Sequence, residues 1–338
     1  MSRATDYLFV RCLNGVCFMA EHELVGVVTV TYNSASVVPD FMQSLLQQSH
    51  RNFILYVVDN ASSDNTVELL TMYKDRRLRL VQNSENLGVA EGNNLGIKAA
   101  LDNGCSSVLL INNDTVFDVD MLSTLVAGLE QYNCDMIVPK ILYFEPPNIL
   151  WCAGGTFSAW RGGANHFGFG QKDDGRFDQV REVQYSPTCC MLIRKTVFDC
   201  IGLMDPKFFV YFDDTDFCLR ACRRKLKLVY VPSVRIYHKV STLIGHRSEL
   251  SLRYFTRNHV YYVMKNFRLW MMLYYLPICQ AHVFRRALVA KGKIRALSIA
   301  ERAFWEGIAL FYAESRPTKR LLHLASEKRQ GEHFARPN

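Results

Sequence analysis

The stretch GVVTVT at residues 26–31 decides the fold class, because it is a continuous run of apolar and β-branched residues. A strand of this composition is typical of a parallel sheet that is buried on both faces. FILYVVD at residues 53–59 and SVLLI at residues 107–111 have the same character. The three runs predict central strands of one sheet.

Segments with helical spacing of apolar residues separate these strands. Helices are predicted over residues 36–48, 66–73, 90–101 and 119–132, and shorter strands over 78–82, 136–139, 189–194 and 228–231. Strands that alternate with helices of this length indicate an α/β protein. Its sheet is mostly parallel, Rossmann-like, and covered by helices on both faces.

Polar residues follow three of the strands. They are Thr31-Tyr32-Asn33, Asp59-Asn60 and Asn112-Asn113-Asp114. Ligands of open α/β sheets bind beyond the carboxyl ends of the strands, so we expect a ligand site here. A Gly/Asn-rich loop at residues 86–94 runs into a helix and could approach a nucleotide through its backbone. Taken alone, the Asn112-Asn113-Asp114 cluster is more typical of an ordinary turn, and the 86–94 loop by itself is weak evidence for a nucleotide.

A second group of acidic residues precedes a predicted helix. Asp213, Asp214 and Asp216 stand within four residues, between two phenylalanines. Crowded carboxylates repel one another, which favours a raised pKa and a general base, whereas Asp at a helix start also serves as a cap. We expect one acid to cap the helix and another to act as base. Cys218, Cys222 and His238 could suggest zinc, but helix cysteines at this spacing are more typical of a core.

The composition is globular, with 49% hydrophobic and 21% charged residues, and its eleven scattered cysteines favour reduced thiols in a cytosol. No apolar run is long enough to span a bilayer. Residues 251–338 hold 16 of the 40 Lys and Arg but 5 of the 32 Asp and Glu. This basic, aromatic region predicts either contact with an anionic membrane surface or packing on the core with an exposed basic rim. No nucleic-acid-binding motif is present, so we expect no nucleic-acid partner.

The domain organisation follows from these patterns. We treat residues 1–24 as an N-terminal extension without an assigned function. Residues 25–245 form the predicted catalytic domain, with a nucleotide-binding half at 25–140 and an acceptor half at 141–245. Within the latter, the Gly- and aromatic-rich stretch 151–175 is predicted as long loops. Residues 246–338 form a predicted helical region.

Taken in order, these motifs resemble the family 2 glycosyltransferases, in particular the rhamnosyltransferase-like branch. The resemblance spans about residues 25–240. The segments that carry it are VVTVTYNSA (27–35), VVDNASSDNT (57–66), NLGVAEGNNLGI (86–97), LLINNDT (109–115), FDDTDFCLR (212–220) and IYH (236–238). It implies a GT-A fold, a nucleotide-diphosphate sugar donor, a Mg²⁺ or Mn²⁺ ion, and an inverting reaction.

The resemblance also implies roles for individual residues. Asp214 matches the catalytic base, and Asp114, His238 and Asn112 match the metal site. Asn112 replaces the first acid of the family's D-x-D motif, which removes one negative charge from the ligands and should weaken the hold on the ion. The implied nucleotide site comprises Thr31, Asn33, Asp59, Asn60, Asn86, Gly88, Asn94 and Asn113.

Several functional readings remain open at this stage. The favoured one is transfer of rhamnose from dTDP-rhamnose to a lipid-linked or polysaccharide acceptor, on the cytoplasmic face of the plasma membrane. A UDP-hexose donor is the alternative within the same chemistry. A catalytically silent nucleotide-sugar-binding scaffold is the alternative from another class, and only Asn112 favours it.

Overall fold

A computed structural model describes residues 23–158, 160, 162–239, 248–289 and 293–315, with the short pairs 12–13 and 16–17. Most of the predicted extension 1–24, the predicted boundary at 245 and the end of the basic region after 315 lie outside the described residues. The chain divides into two compact units. Unit 1 comprises residues 1–157, 164–209 and 213–243, and unit 2 comprises 158–163, 210–212 and 244–338.

The described strands are β1 (Cys12–Leu13), β2 (Val16–Cys17), β3 (Val25–Thr31), β4 (Phe53–Asp59), β5 (Leu78–Gln82), β6 (Ser107–Ile111), β7 (Thr115–Phe117), β8 (Met136–Tyr143), β9 (Leu150–Cys152), β10 (Gly155–Ser158), β11 (Gly163–His166), β12 (Arg181–Val183), β13 (Cys190–Arg194) and β14 (Leu228–His238). The described helices are α1 (Val38–Leu46), α2 (Thr66–Met72), α3 (Gly88–Asp102), α4 (Met121–Gln131), α5 (Lys195–Ile201), α6 (Asp213–Arg223), α7 (Glu249–Asn266), α8 (Met272–Val289) and α9 (Lys293–Ser315).

Unit 1 is built on a ten-stranded sheet with the order β12-β14-β8-β13-β6-β3-β4-β5, to which β7 and β9 add at β14 and β8. The pairs of β3 with β4 and β6, of β4 with β5, and of β8 with β14 are parallel. The predicted α/β, mostly parallel sheet is therefore confirmed. The departures are antiparallel pairs: β13 lies antiparallel between β6 and β8, β12 and β7 pair antiparallel with β14, and β9 pairs antiparallel with β8.

Helices cover both faces of this sheet because the strand residues are apolar on both sides. Val27 belongs to the buried cluster that receives α1, α2 and α4, whereas the next residue, Val28, belongs to the cluster beneath α3, α5 and α6. Alternation along a strand sends successive side chains to opposite faces. The continuous apolar run is thus explained by two hydrophobic cores.

Two expectations from the sequence need correction. The stretch 151–175 was predicted as loops, but it contains part of β9 and the two-stranded sheet β10–β11. Its strands are three or four residues long, too short for a visible periodicity. The strand predicted over 228–231 continues through a register shift between Val231 and Arg235 to His238. Pro232 falls at this irregularity, where a missing N–H is tolerated.

The C-terminal part of unit 2 is helical in its described residues, as predicted. Helices α7, α8 and α9 pack on one another. Gly307 on α9 lets two helices approach closely, because a Cβ there would stand 2.4 Å from the backbone oxygen of Arg257 on α7. No helix in the described residues is both long and apolar enough to cross a membrane.

Candidate active site

The carboxyl ends of β3 and β4 are joined by buried hydrogen bonds. The Thr31 hydroxyl donates to Oδ1 of Asp59 at 2.8 Å. Ser62 donates to the same carboxylate from its backbone N–H at 2.9 Å and from its hydroxyl at 2.5 Å. Thr31 and Asp59 are both 1% exposed. These two predicted nucleotide-site residues therefore lie together, and their hydrogen bonds fix the shape of this edge of the sheet.

Asn33 joins the loops that follow the same two strands. Its backbone has a positive φ of 50°, a conformation that Asn tolerates better than most residues. Its Oδ1 accepts a 2.8 Å hydrogen bond from the backbone N–H of Ser63, and its own N–H donates to Ser62. The neighbouring Tyr32 ring is exposed. Asn33 thus shapes the loop, and Tyr32 offers an open aromatic surface beside it.

The 86–94 loop is held against β4 through Asn60. The Asn60 amide donates to the Gly88 carbonyl at 2.9 Å, and Asn86 Oδ1 accepts the Gly88 N–H at 2.9 Å. Gly88 has a φ of +82°, and a Cβ there would stand 2.5 Å from the backbone oxygen of Phe209. The loop therefore needs glycine at position 88 for both conformation and space.

Two of the implied nucleotide-site residues have buried side chains with structural partners. The Asn94 amide donates to the Met204 carbonyl at 2.9 Å, and its Oδ1 accepts the Met204 N–H at 3.0 Å. Asn113 donates to the carbonyl of Val30 at 2.9 Å and to the Ser34 hydroxyl at 3.0 Å. Asn94 thus connects α3 to the loop that contains Met204, and Asn113 connects the ends of β6 and β3.

Asp114 and His238 meet because β7 pairs with the end of β14. The register places His238 opposite Thr115, and Lys239 N–H donates to the Asp114 carbonyl at 2.9 Å. Nε2 of His238 lies 3.1 Å from Oδ1 of Asp114. Both side chains are buried. The sequence separates these residues by more than a hundred positions, and the extended β14 brings them together.

The Asp114–His238 pair has the character of a cation site. Oδ1 of Asp114 and Nδ1 of His238 are buried without hydrogen-bond partners, even though Nε2 lies close to Oδ1. Two ligands that share a hard cation at about 2.1 Å each would themselves stand about 3 Å apart. Asn112 precedes them, half-buried, at the end of β6. The residues present fit a divalent ion.

The described residues supply only part of the shell that a divalent ion would need. Within the described ranges, no group of three or more His, Cys, Asp or Glu side chains is placed to hold a metal. Cys218, one of the residues considered for a zinc site with Cys222 and His238, lies in the core. Its thiol is 3.5 Å from the Ser186 carbonyl. An ion held by one Asp and one His leaves positions for oxygen ligands from a diphosphate.

The three acids at the start of α6 have different environments. Asp216 is fully buried and pairs with Arg220 at 2.9 Å, and Arg220 also donates to the carbonyls of Ile201 and Leu203. Asp213 is buried. Asp214 is half-buried, and its Oδ1 accepts the Thr215 N–H at 2.6 Å. Asp216 is therefore structural, and Asp214 is the acid with an accessible side chain.

Burial sets the protonation of the other two acids. Desolvation, with the adjacent charge of Asp214 as a second cause, raises the pKa of Asp213 to about 8. Desolvation also raises the pKa of Asp214, although hydrogen bonds from Thr215 and Tyr185 oppose it. A carboxylate with a raised pKa is a better proton acceptor near neutral pH. Asp214 therefore has the exposure and the basicity that a general base requires.

A row of side chains that the sequence did not predict lies between these two centres. The Trp151 ring stands edge-on to His238, with centroids 4.7 Å apart, and edge-on to His166 at 5.4 Å. His166 lies 5.3 Å from the Tyr185 ring, and the Tyr185 hydroxyl donates to Oδ2 of Asp214 at 3.0 Å. We call Trp151, His166 and Tyr185 the linking row. The aromatic character of the 151–175 stretch was a sequence signal for Trp151 and His166, and Tyr185 lies outside that stretch.

A parallel-rich sheet with helices on both faces, a polar edge at its strand ends and a helical C-terminal region define a GT-A-type α/β protein. The sequence model of the Glycosyl transferase family 2 matches residues 26–202, which is more than half of the chain. The chain belongs to this family.

Curated relatives support the family at low identity. The low-salt glycan biosynthesis hexosyltransferase Agl10 of Haloferax volcanii is 29% identical over 175 residues, 51% of this chain and 54% of the relative. The dTDP-rhamnosyl transferase RfbF of Shigella flexneri is 21% identical over 222 residues, covering 63% and 68%. The N-acetylglucosaminyl-diphospho-decaprenol L-rhamnosyltransferase of Mycobacterium tuberculosis is 23% identical over 234 residues, covering 64% and 76%.

Solved structures share the fold. GalNAc-T7, solved with UDP, GalNAc and Mn²⁺, superposes with a TM-score of 0.57 at 15% identity, covering 85% of this chain and 56% of its own. The mannosyltransferase PcManGT of Pyrobaculum calidifontis, solved with GDP-Man and Mn²⁺, gives 0.52 at 16% identity, covering 90% and 79%.

Proposed function

We propose that this protein is an inverting, metal-dependent glycosyltransferase that moves a sugar from a nucleotide diphosphate to an acceptor hydroxyl. The observation that carries the proposal is the pair formed by Asp114 and His238, 3.1 Å apart, with a buried carboxylate oxygen that lacks a hydrogen bond. The same unit contains Asp214, a half-buried acid with a raised pKa. A leaving-group site and a base are the two elements that this chemistry requires.

Asp214 accepts the proton in the proposed reaction. The acceptor hydroxyl attacks the anomeric carbon while the bond from that carbon to the diphosphate oxygen breaks. The hydroxyl proton passes to the carboxylate of Asp214, and the bonding electrons leave with the diphosphate. A single displacement of this kind inverts the anomeric configuration.

Asp114 and His238 would hold a Mg²⁺ or Mn²⁺ ion, with Asn112 beside them as a neutral oxygen donor. The bound ion supplies positive charge that stabilises the departing diphosphate. Two neighbours of known fold were solved with Mn²⁺, which supports this assignment. The buried orphan oxygen of Asp114 is the structural argument for it.

The nucleotide would bind along the carboxyl edge of β3 and β4. Thr31, Asp59 and Asn60 set the shape of this edge through their hydrogen bonds, and Asn33, Asn86 and Gly88 set the two loops beside it. Asn94 and Asn113 support the same region from the interior. The backbone and the exposed Tyr32 ring are the surfaces that these bonds leave to a base or ribose.

For the donor we propose dTDP-rhamnose and for the acceptor a lipid-linked or polysaccharide hydroxyl. Two relatives are described as rhamnosyl transferases, one acting on a diphospho-decaprenol substrate. A UDP-hexose is the second candidate donor, because another relative is described as a hexosyltransferase. Asn112 in place of an acid favours a silent nucleotide-sugar-binding scaffold as the alternative without catalysis.

We further propose peripheral contact with the inner face of the plasma membrane through residues 251–338. Leu269, Trp270 and Leu273 are 68–85% exposed within five residues, and exposed Arg268 precedes them. The Trp160 ring, 79% exposed, packs on Tyr274 at 6.4 Å. Aromatic and leucine side chains in a strongly basic region suit the interface of an anionic bilayer.

Calorimetric titration of the purified protein with dTDP and with UDP, each with Mn²⁺ and with EDTA, tests the proposal. Metal-dependent binding that favours dTDP supports a rhamnose donor, and a preference for UDP supports the hexose alternative. If neither dTDP nor UDP binds, the proposed nucleotide site is contradicted. Asp118→Asn is the matched control for Asp114→Asn, since Asp118 is an exposed acid four residues away.

A further inference from the structure

The carboxylate of Asp214 is held at both oxygens. Oδ1 accepts from the backbone N–H and the hydroxyl of Thr215, its neighbour in α6, at 2.6 and 3.0 Å. Oδ2 accepts from the Tyr185 hydroxyl at 3.0 Å, a contact that joins residues 29 positions apart. The contact with Tyr185 is therefore the one that ties the acid to another part of unit 1.

The Tyr185 side chain is itself fixed. It is buried, and its ring packs against Phe157 at 6.2 Å and His166 at 5.3 Å. Burial and the nearby carboxylate raise the pKa of Tyr185 well above its usual value, so the hydroxyl stays protonated and donates. A buried donor with one orientation fixes the direction of the acid that accepts from it.

His166 occupies the middle of the linking row. Its Nδ1 lies 3.3 Å from the Trp151 carbonyl, and its ring contacts both the Trp151 indole and the Tyr185 ring. Burial lowers the pKa of His166, and the charge of Asp214 acts in the opposite direction. Trp151 in turn stands against His238. The row is continuous from the cation site to the base.

We propose that the linking row positions the two ends of the active site relative to each other. Tyr185 is the positioning residue for Asp214, Trp151 is the positioning residue for His238, and His166 packs between them. This inference rests on the proposed function, because it assigns the row to that reaction. Through these contacts the row would keep the base and the cation site in a fixed arrangement relative to each other.

Among the described residues, the titratable groups that interact electrostatically with Asp214 include Asp213 on α6, Tyr185, His166, and the thiols of Cys152, Cys189 and Cys218. Burial raises the pKa of all three thiols, so they carry no charge at neutral pH. The Tyr185 hydrogen bond stabilises the ionised form of Asp214, so its removal moves proton uptake by Asp214 to higher pH.

The test compares Tyr185→Phe with Tyr230→Phe in the full chain. Tyr230 is also buried and donates one hydrogen bond, at 2.9 Å to the Phe177 carbonyl, so the two variants lose the same chemical group. Sugar transfer is measured from pH 5 to pH 9, and Mn²⁺ binding is measured separately. We expect Tyr185→Phe to lower kcat at neutral pH about tenfold and to move the acidic limb to higher pH. Mn²⁺ affinity and KM for the donor stay unchanged.

Two substitutions of His166 test whether its ring acts through packing. His166→Phe keeps a ring between Trp151 and Tyr185, and we expect it to retain Mn²⁺ affinity. His166→Ala removes the ring, and we expect both kcat and Mn²⁺ affinity to fall by about tenfold.

If the wild type transfers sugar but Tyr185→Phe and Tyr230→Phe have the same activity across the pH range, the inference is overturned. The proposed function then stays intact. Equal Mn²⁺ affinity of His166→Ala and wild type would also overturn it. A wild-type protein that transfers no sugar would instead contradict the proposed function.

Discussion

Nε2 of His238 lies 3.1 Å from Oδ1 of Asp114, and that oxygen is buried without a hydrogen bond. A carboxylate oxygen in this state costs free energy unless something else coordinates it. In the proposed site, a cation shared with the imidazole would remove this cost. This relationship is the basis of the first prediction.

Asp114→Asn should weaken Mn²⁺ binding by at least about tenfold, because one charged ligand is lost from a site with a single acid. Calorimetry with Mn²⁺ in the presence of nucleotide measures the effect. Asp118→Asn removes the same charge at an exposed position and should leave the affinity unchanged. Equal Mn²⁺ affinity in the two variants would show that Asp114 is not a ligand.

Asp214→Asn should abolish transfer while leaving donor binding largely intact, since an amide cannot take the acceptor proton. Asp216→Asn should instead destabilise the fold. It breaks the pair with Arg220, whose guanidinium is partly exposed, and should lower the free energy of unfolding by about 3 kcal/mol. Transfer assays, nucleotide titration and denaturant unfolding compare the two. Loss of nucleotide binding in Asp214→Asn would place Asp214 in the donor site instead.

Asp213 makes stability depend on pH. Burial raises the pKa of Asp213 to about 8 from an ordinary value of 3.8, so the folded protein keeps a proton that the unfolded chain has lost. Its contribution to stability is full below about pH 4 and declines as the pH rises through 8. Asp213→Asn stays neutral, so its melting temperature should fall less than that of wild type between pH 5 and pH 9. Parallel curves for the two proteins would contradict the raised pKa.

Gly88→Ala should destabilise the protein far more than Gly104→Ala. Both glycines have a φ near +80°, so both substitutions meet the same backbone strain. A Cβ at 88 would also stand 2.5 Å from the Phe209 carbonyl oxygen, whereas nothing lies within 4 Å at 104. We expect an extra loss of about 2 kcal/mol for Gly88→Ala. Denaturant unfolding measures it, and equal losses would remove the case for a close approach.

Leu273→Glu should weaken binding to phosphatidylglycerol vesicles by about tenfold, because it replaces an exposed apolar side chain with a negative charge. Met72→Glu is the control, since Met72 is also exposed but lies in unit 1. Vesicle co-sedimentation compares the variants with wild type, and phosphatidylcholine vesicles test the role of lipid charge. The membrane proposal would be contradicted if the wild type did not bind vesicles. If, in addition, the wild type were a dimer and Leu273→Glu a monomer, the surface would be assigned to self-association.

The sequence predicts the central sheet well because its strands are long apolar runs. β4, β5 and β6 have the bounds that the sequence predicts. It does not predict β13 as an antiparallel insertion between β6 and β8, because a short apolar run has no sign of its direction. Local patterns indicate which segments form strands but not their order or direction.

Some residues of the candidate site could be predicted from the sequence and others could not. Asp114, Asp214 and His238 are accessible to sequence reasoning because each stands in a motif beside a strand or a helix. His166 and Tyr185 belong to no motif and meet Asp214 only through tertiary packing. The prediction of β14 stopped at Val231, before Pro232, although the strand continues past this irregularity to His238. Side chains that act through long-range contacts need the structure to be recognised.

Sugar transfer by the full chain tests the central claim most directly. Wild type and Asp214→Asn are each incubated with dTDP-rhamnose, or with UDP-hexoses, and a polyprenyl-diphosphate-linked acceptor, with Mn²⁺ or with EDTA. We predict a Mn²⁺-dependent product of inverted anomeric configuration with wild type, and no product with Asp214→Asn despite retained nucleotide binding. Nucleotide binding without transfer from any donor, or full activity of Asp214→Asn, would contradict the account.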